Sequence, residues 1–315
     1  MFKKLQLNWS SLFGLLLFAL SVWVMSRELQ EYNYRHLLDS LATIPKRRLS
    51  ESIWLTVIGY LVMVPYDILG LSYANCSLNW KRIALTNFIS SVFSNTIGMA
   101  LLTGSAIRYR FYSSWGVPPW AIAQAIAFVN FTFWLGMFAL AGLIFLINPL
   151  AIPPQLHLPF VSVRPIGIIF LLLIIVYLLA SLLLRKPLRI GSQEFRFPNF
   201  KISIVQIIIS SCDWLLAAAV VYVLLPSHLS ISYGNFLEIY LLAMFAGVVS
   251  NIPGGLGVFE TVILLILSSE VSAVSIFSSL LAYRVVYYFF PLIVATAALG
   301  LYELKHGTKN ITGKM

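Results

Sequence analysis

Charged residues are scarce in this chain. Only 10% of its 315 residues are Asp, Glu, Lys or Arg, whereas 60% are hydrophobic, and the mean hydropathy is +0.89. A soluble domain carries about 25% charged residues, so this composition excludes a soluble core and predicts an integral membrane protein. The net charge of +10 does not indicate nucleic-acid binding, because basic residues in short loops beside apolar spans set membrane topology and contact anionic lipid headgroups.

Residues that carry reaction chemistry are also scarce. The two cysteines, Cys76 and Cys212, lie at the end of one apolar run and inside another, so they form no disulfide framework. The four histidines are scattered over loops and chain ends, without the clustering that a metal site needs. No nucleophile–base pair or cofactor-binding loop is present. The sequence therefore predicts a protein that is not an enzyme and takes no cofactor or metal.

Six apolar runs predict membrane-crossing helices, and the chain between the first two is amphipathic. A helix lying on the membrane surface is predicted over 27–50, where apolar residues recur at helical spacing, and a solvated linker is the alternative. The six predicted spans are Leu12–Met25, Ile53–Tyr73, Trp120–Ile147, Pro165–Leu184, Ile202–Leu225 and Val271–Leu301.

Two further apolar segments are interrupted. In the hairpin predicted over 236–269, each arm has about 14–15 residues and reaches ~21–23 Å as a helix, whereas a hydrocarbon core needs ~30 Å. Its arms are joined by Asn251-Ile-Pro-Gly-Gly-Leu-Gly-Val-Phe-Glu260, in which Pro253 lacks a donor and the glycines tolerate unusual backbone angles. A polar hairpin is predicted over 83–116, with its break at Gly104–Arg110. Broken helices at membrane depth are typical of transporter binding sites.

The order of these elements predicts an all-α polytopic protein built as an inverted repeat. Each half, 1–150 and 165–304, has three spans plus one re-entrant or broken hairpin, and three crossings turn the second half upside down. A periplasmic loop, 151–164, joins the halves, and 305–315 is a cytoplasmic tail. The positive-inside rule places both termini in the cytoplasm, with the basic cluster Lys46–Arg48 as an exception on the outer side.

Several polar residues at membrane depth are candidate site residues. Arg108, Arg110 and Tyr112 lie towards the end of the first hairpin. Guanidinium groups there suit phosphate oxygens, and the alternative is that these are ordinary interface residues. A charge at depth costs about 2.5–3.5 kcal/mol, so we expect Glu260 and Arg284 to form an ion pair. The predicted substrate-binding set is Arg108, Arg110, Tyr112, Asn251, Gly254, Gly255, Gly257, Glu260 and Arg284. Asp67 and Asp213 occupy matched positions in the two halves, and Asn130 matches Arg284. We expect Asp67, Asp213 and Asn130 to form a proton or polar relay, or else to bond neighbouring helices.

Three motifs occur in order along the chain: Gly104-x-x-x-Arg-Tyr-Arg-Phe-Tyr-x-x-Trp-Gly116, the Asn251–Glu260 motif, and Leu281-Ala-Tyr-Arg-Val-Val-Tyr-Tyr-Phe-Phe-Pro291. Together they resemble the membrane region of lysylphosphatidylglycerol synthetase/flippase proteins, and more closely the stand-alone YbhN-like inner-membrane proteins. The resemblance implies a multi-pass protein of the bacterial inner membrane that handles phospholipid. The chain ends soon after Leu301, so we expect no acyltransferase domain.

Three functions are compatible with these patterns. The first is a phospholipid flippase or scramblase that moves an anionic or aminoacylated lipid between leaflets. The second is a proton-coupled transporter of a small amphiphile or lipid-linked precursor, with Asp67 or Asp213 as the proton carrier. The third is a non-transporting membrane partner of lipid-synthesis enzymes. The expected partners are thus membrane phospholipids and, in the third case, those enzymes.

Overall fold

The computed structural model describes residues 42, 44–97, 100–150, 162–184, 188–190, 193–227, 229–249, 257–268 and 271–312. Its regular secondary structure is helical apart from one short antiparallel hairpin of β1 (Leu188–Ile190) and β2 (Gln193–Phe195). The all-α polytopic fold class is confirmed. The helices are α1 (Lys46–Tyr73), α2 (Trp80–Ile97), α3 (Ala100–Ser114), α4 (Pro119–Ile147), α5 (Arg164–Leu183), α6 (Phe200–Leu224), α7 (Tyr233–Val249), α8 (Val258–Leu267), α9 (Ala273–Tyr283) and α10 (Phe290–Thr312).

Five helices in the described chain are long and apolar enough to cross a membrane: α1, α4, α5, α6 and the continuous helix that begins at Ala273. The spans predicted over 120–147, 165–184 and 202–225 are confirmed to within two residues at each end. Helix α5 has a mean hydropathy of 3.1, and it leaves large side chains such as Leu172, Val176 and Leu183 exposed. Such a surface is stable only against lipid or another apolar face.

The beginning of α1 corrects one predicted boundary. The surface helix predicted over 27–50 extends too far, because Lys46–Ser50 form the first turns of α1. Pro45 occupies the N-cap position with extended backbone angles, and its fixed φ favours a helix start at this point. Residues 27–41 and the first predicted span, 12–25, lie outside the described residues.

The first hairpin consists of α2 and α3, which pack against each other. The break predicted at Gly104–Arg110 is wrong, because α3 is helical from Ala100 to Ser114. Gly104 serves close packing instead: a Cβ there would lie 2.0 Å from Oγ of Ser94 and 3.2 Å from the carbonyl oxygen of Ser90. The second hairpin consists of α7 and α8, which also pack together, and residues 250–256 between them lie outside the description.

Packing joins the two halves of the chain tightly. The most extensive helix contact in the described part is between α1 of the first half and α6 of the second. A separate apolar cluster unites α1, α2 and α3 with Leu292, Ala295 and Leu299 of α10. Helix α4 approaches α6 so closely that a Cβ on Gly136 would lie 2.4 Å from the carbonyl carbon of Ser210. The inverted symmetry of the halves stays a prediction.

A π-helical segment, Arg284–Phe289, joins α9 to α10. Pro291 follows it and has no N–H, so it cannot donate to the carbonyl of Tyr287 four residues earlier. The hydroxyl of Tyr60 on α1 donates to that carbonyl at 3.1 Å. This hydrogen bond ties the π-helical segment to the first half of the chain. π-Helical turns are often found at functional sites.

Candidate functional site

A buried ion pair connects α1 to α3. Asp67 is fully buried, and Arg108 is 5% exposed. The guanidinium of Arg108 donates hydrogen bonds to both carboxylate oxygens of Asp67. Nε lies 2.9 Å from Oδ1 and 3.1 Å from Oδ2, and Nη2 lies 2.9 Å from Oδ2. This is a two-point fork, the strongest geometry for a guanidinium and a carboxylate.

Neutral donors complete the environment of Asp67. The hydroxyl of Tyr112 donates to Oδ1 at 2.6 Å, and the amide of Asn87 donates to Oδ2 at 2.7 Å. The same amide also donates to the carbonyl of Met63, in the turn just before Pro65. Arg108 itself has a weak further contact, from Nη2 to Oγ of Ser91 at 3.5 Å. Its Nη1 donates to none of the described residues.

A second buried ion pair confirms the predicted partnership of Glu260 and Arg284. Nε and Nη2 of Arg284 donate to Oε1 of Glu260 at 2.9 and 2.7 Å. Oε2 of Glu260 accepts the N–H of Gly257 at 2.9 Å, so the carboxylate also caps the start of α8. Gly257 has φ +77°, a conformation in which a side chain would be strained.

Aromatic rings enclose this second pair. The guanidinium carbon of Arg284 lies 4.9 Å from the ring centre of Tyr288 and 5.9 Å from that of Phe259. The negative faces of aromatic rings stabilise a cation that has lost its water. Glu260 and Arg284 are 4% and 3% exposed, so carboxylate, backbone and rings together replace the solvation of both charges.

The carboxyl group of Asp213 on α6 receives far fewer hydrogen bonds than that of Asp67. Asp213 is 3% exposed. Its Oδ2 accepts a hydrogen bond of 3.0 Å from the hydroxyl of Tyr66, whereas its Oδ1 accepts none from the described residues. The residues that donate to the two aspartates of α1 and α6 are therefore different, although the sequence placed Asp67 and Asp213 at matched positions.

The structure brings some of the predicted site residues together and leaves others apart. It brings Arg108, Tyr112 and Asp67 together, and Glu260, Arg284 and Gly257 together. Arg110 instead pairs with Glu303 on α10. Asn130 donates to the carbonyl of Ile126 one turn earlier on its own helix, and no described contact joins it to either pair. Asn251, Gly254 and Gly255 lie outside the described residues.

The basic cluster Lys46–Arg48, which the topology prediction left as an exception, has a structural role. Nη1 of Arg48 donates to the carbonyl of Leu225 at 2.7 Å, just past the end of α6. A cation at this position satisfies a carbonyl that has no helical partner and favours the negative end of the helix dipole. Arg47 forms an exposed pair with Glu51 one turn along α1. Arg48 thus belongs to the α1–α6 contact.

Sequence reasoning missed two features of the site. It assigned Arg108 to phosphate and Asp67 to a relay, without pairing them, although a charge at depth usually has a partner. That rule would have paired them once α3 was understood to return beside α1. Tyr66, the partner of Asp213, carried no such signal, because a tyrosine in an apolar span is most simply a packing residue.

Among the described residues, five helices able to span a membrane, two short hairpins and two buried ion pairs define a multi-pass α-helical membrane protein. The chain belongs to the family described as lysylphosphatidylglycerol synthase TM region, whose model matches residues 9–295. The resemblance seen in the three motifs is thereby confirmed. The match is to a membrane region and not to a catalytic domain.

Curated relatives span a range of lengths. The chain is 45% identical over 302 residues to the Synechocystis protein called uncharacterized protein slr0712, covering 96% of this chain and 94% of the relative. It is 34% identical to inner membrane protein YbhN of Escherichia coli, covering 78% of this chain and 77% of that protein. It is 24% identical to a Staphylococcus aureus phosphatidylglycerol lysyltransferase over 90% of this chain, but over only 33% of that enzyme.

Proposed function

We propose that this protein is a phospholipid flippase or scramblase, which moves an anionic or aminoacylated phospholipid between the two leaflets of the bacterial inner membrane. The observation that carries the proposal is the buried Asp67–Arg108 pair, a guanidinium fork between a helix long and apolar enough to span a membrane and the first hairpin. Two relatives support the setting, because one is named an inner membrane protein and another a phosphatidylglycerol lysyltransferase. Both termini are assigned to the cytoplasm by the positive-inside rule.

A lipid phosphate has the chemistry to engage this fork. Guanidinium groups bind carboxylate and phosphate oxygens with the same two-point geometry. Asp67 holds Arg108 oriented while no lipid is bound, and Nη1, which donates to none of the described residues, is a donor for an incoming phosphate. The hydroxyl of Tyr112 and the amide of Asn87 keep Asp67 hydrogen-bonded if Arg108 turns away from it.

The second ion pair continues a polar path for the lipid headgroup that begins at the Asp67–Arg108 pair, and this path is called the lipid route below. Glu260 and Arg284 belong to the second hairpin and to the helix that follows it, and their charges are also buried. Burying an ion pair does not by itself stabilise a protein more than apolar packing would. Two such pairs inside an apolar chain therefore favour a functional role, in which the headgroup crosses along the polar interior while the acyl chains stay in lipid.

The proposal is tested by lipid exchange in liposomes. Fluorescent phosphatidylglycerol is placed in both leaflets, and a membrane-impermeant quencher reports how fast the inner pool reaches the outer leaflet. The decisive variant carries Asp67→Asn together with Arg108→Met, which removes both charges and leaves no unpaired ion. We expect the wild-type protein to accelerate exchange and this double variant to lose at least tenfold of the acceleration.

A matched control removes an ion pair that lies outside the proposed route. Arg47→Gln breaks the exposed pair with Glu51 on α1 and is expected to leave exchange unchanged. Exchange no faster than in protein-free liposomes would refute the proposal. If the double variant, folded and inserted, keeps a cellular lipid phenotype, the function of a non-transporting partner of lipid-synthesis enzymes is favoured instead.

A further inference from the structure

Asp213 is a buried carboxyl group that the proposed lipid route does not use. It lies on α6, the helix that makes the main contact with α1. The structure gives Asp213 one hydrogen-bond donor, the hydroxyl of Tyr66, whereas Asp67 receives donors from an arginine, a tyrosine and an asparagine. An ionised carboxylate needs a cation or several donors when it is buried. The environment of Asp67 meets that need, and the environment of Asp213 does not.

The groups that face Asp213 are neutral. The titratable side chains near Asp213 are Tyr60 and Tyr66 on α1, Tyr240 on α7 and Tyr287 in the π-helical segment, and Cys212 is its neighbour on α6. Helix α4 packs on the same helix, where Trp214 donates to the carbonyl of Phe133. Among the described residues, no Lys, Arg or His forms an ion pair with Asp213.

Among the ions that neutralise a carboxylate, the proton fits this environment best. A metal cation takes several oxygen or nitrogen ligands around a cavity of its own size. The described residues contain no cluster of three His, Cys, Asp or Glu side chains that could hold a metal ion, and Asp213 is followed on α6 by the buried ring of Trp214, whose centre lies 6.4 Å from that of Tyr240. A proton needs no cavity and is held by the orphan oxygen itself.

Tyr66 gives this carboxyl group a direct connection to the lipid route. Tyr66 and Asp67 are adjacent on α1, so one residue bonds Asp213 and the next bonds Arg108. A change of charge at Asp213 alters the α1–α6 contact at the same turn that holds the Asp67–Arg108 fork. The two groups are therefore placed to respond to each other.

We propose that Asp213 is a proton-binding site and that its proton is carried together with the lipid. This inference rests on the proposed lipid transport. One proton accompanying one singly charged anionic phospholipid makes the transfer electroneutral. The membrane potential, which otherwise adds about 2.3 kcal/mol per charge at 100 mV, then neither drives nor opposes the transfer.

The first experiment asks whether Asp213 holds a proton, independently of transport. Infrared difference spectra of the purified protein detect the carbonyl stretch of a protonated carboxyl group. We expect Asp213→Asn to remove one such band at neutral pH. The Asp67→Asn, Arg108→Met double variant serves as the control and is expected to keep the band, because it leaves Asp213 and its partner Tyr66 unchanged. If Asp213→Asn leaves all carboxyl bands unchanged, the inference is overturned.

The second experiment measures coupling in proteoliposomes whose membrane potential is clamped at zero. For one proton per lipid, a difference of one pH unit supports up to about a tenfold lipid ratio between leaflets, with accumulation on the alkaline side. We expect wild-type protein to approach this ratio and Asp213→Asn to show no response to the gradient. A response to a sodium gradient instead overturns the inference. A lost infrared band without any lipid movement supports the proton site and refutes the lipid function.

Discussion

Removing one member of the Asp67–Arg108 pair should cost more stability than removing both. With Arg108→Met, Asp67 keeps the donors of Tyr112 and Asn87, so we expect the lower end of the range for a broken buried pair, about 3 kcal/mol. With Asp67→Asn, Arg108 retains among the described residues only an amide oxygen and the 3.5 Å contact with Ser91. That cation is nearly unpaired, and we expect the free energy of unfolding to fall by about 5 kcal/mol.

The double variant carries no charge at either position. The amide introduced at position 67 can still accept and donate within reach of Tyr112 and Asn87, and the thioether side chain introduced at position 108 fills the space of the aliphatic part of the arginine. Replacing both members of a buried pair by uncharged groups is often close to neutral, so we expect a loss within about 2 kcal/mol of wild type. The single losses sum to about 8 kcal/mol, and the difference from the double variant measures the coupling.

Unfolding in mixed micelles, followed by tryptophan fluorescence over a titration with a denaturing detergent, measures these differences. The chain contains eight tryptophans, which gives a strong signal. The expected single losses correspond to roughly two to three and a half orders of magnitude in the unfolding equilibrium constant. Arg47→Gln, which breaks an exposed pair, should have no measurable effect. Additive losses in the double variant, or single variants as stable as wild type, would refute the assigned pairing.

Two further predictions concern close packing and the helix after the second hairpin. Gly136→Ala places a Cβ 2.4 Å from the main chain of α6 and should destabilise the protein by about 1–3 kcal/mol, whereas Gly300→Ala, with no atom within 4 Å, should be neutral or slightly stabilising in the same titration. Tyr60→Phe removes the hydrogen bond to the carbonyl of Tyr287 and should cost about 0.5–1.5 kcal/mol. A Tyr60→Phe variant as stable as wild type in the same titration would contradict the role given to Tyr60.

Features that depend on neighbouring residues in the sequence could be predicted, whereas contacts between residues far apart in the chain mostly could not. Apolar runs of sufficient length have few alternatives to spanning helices, so α4, α5 and α6 were predicted almost to the residue. The Glu260–Arg284 pair was predictable because one hairpin leads directly into the helix that carries its partner. Asp67 and Arg108 are 41 positions apart, and only the packing of α3 against its neighbours brings them together.

Glycine was the least reliable sequence signal for a break in a helix. The same residue type relieves backbone strain at Gly257, where φ is +77°, and permits close helix packing at Gly104, which lies inside α3. A single sequence contains no information that separates these two uses, so the predicted break at Gly104 was wrong. The density of serines on α2, including Ser90 and Ser94, was the available hint that a neighbouring helix comes very near.

The π-helical segment sets the rotational phase of the last helix. A π-helical turn accommodates one residue more than an α-helical turn, and each residue turns an α-helix by about 100°. With that extra residue in place, the face of α10 that carries Leu292, Ala295 and Leu299 packs against α1, α2 and α3. A one-residue deletion between Arg284 and Phe289 would swing this face out of the bundle while every contact upstream of it stayed in register.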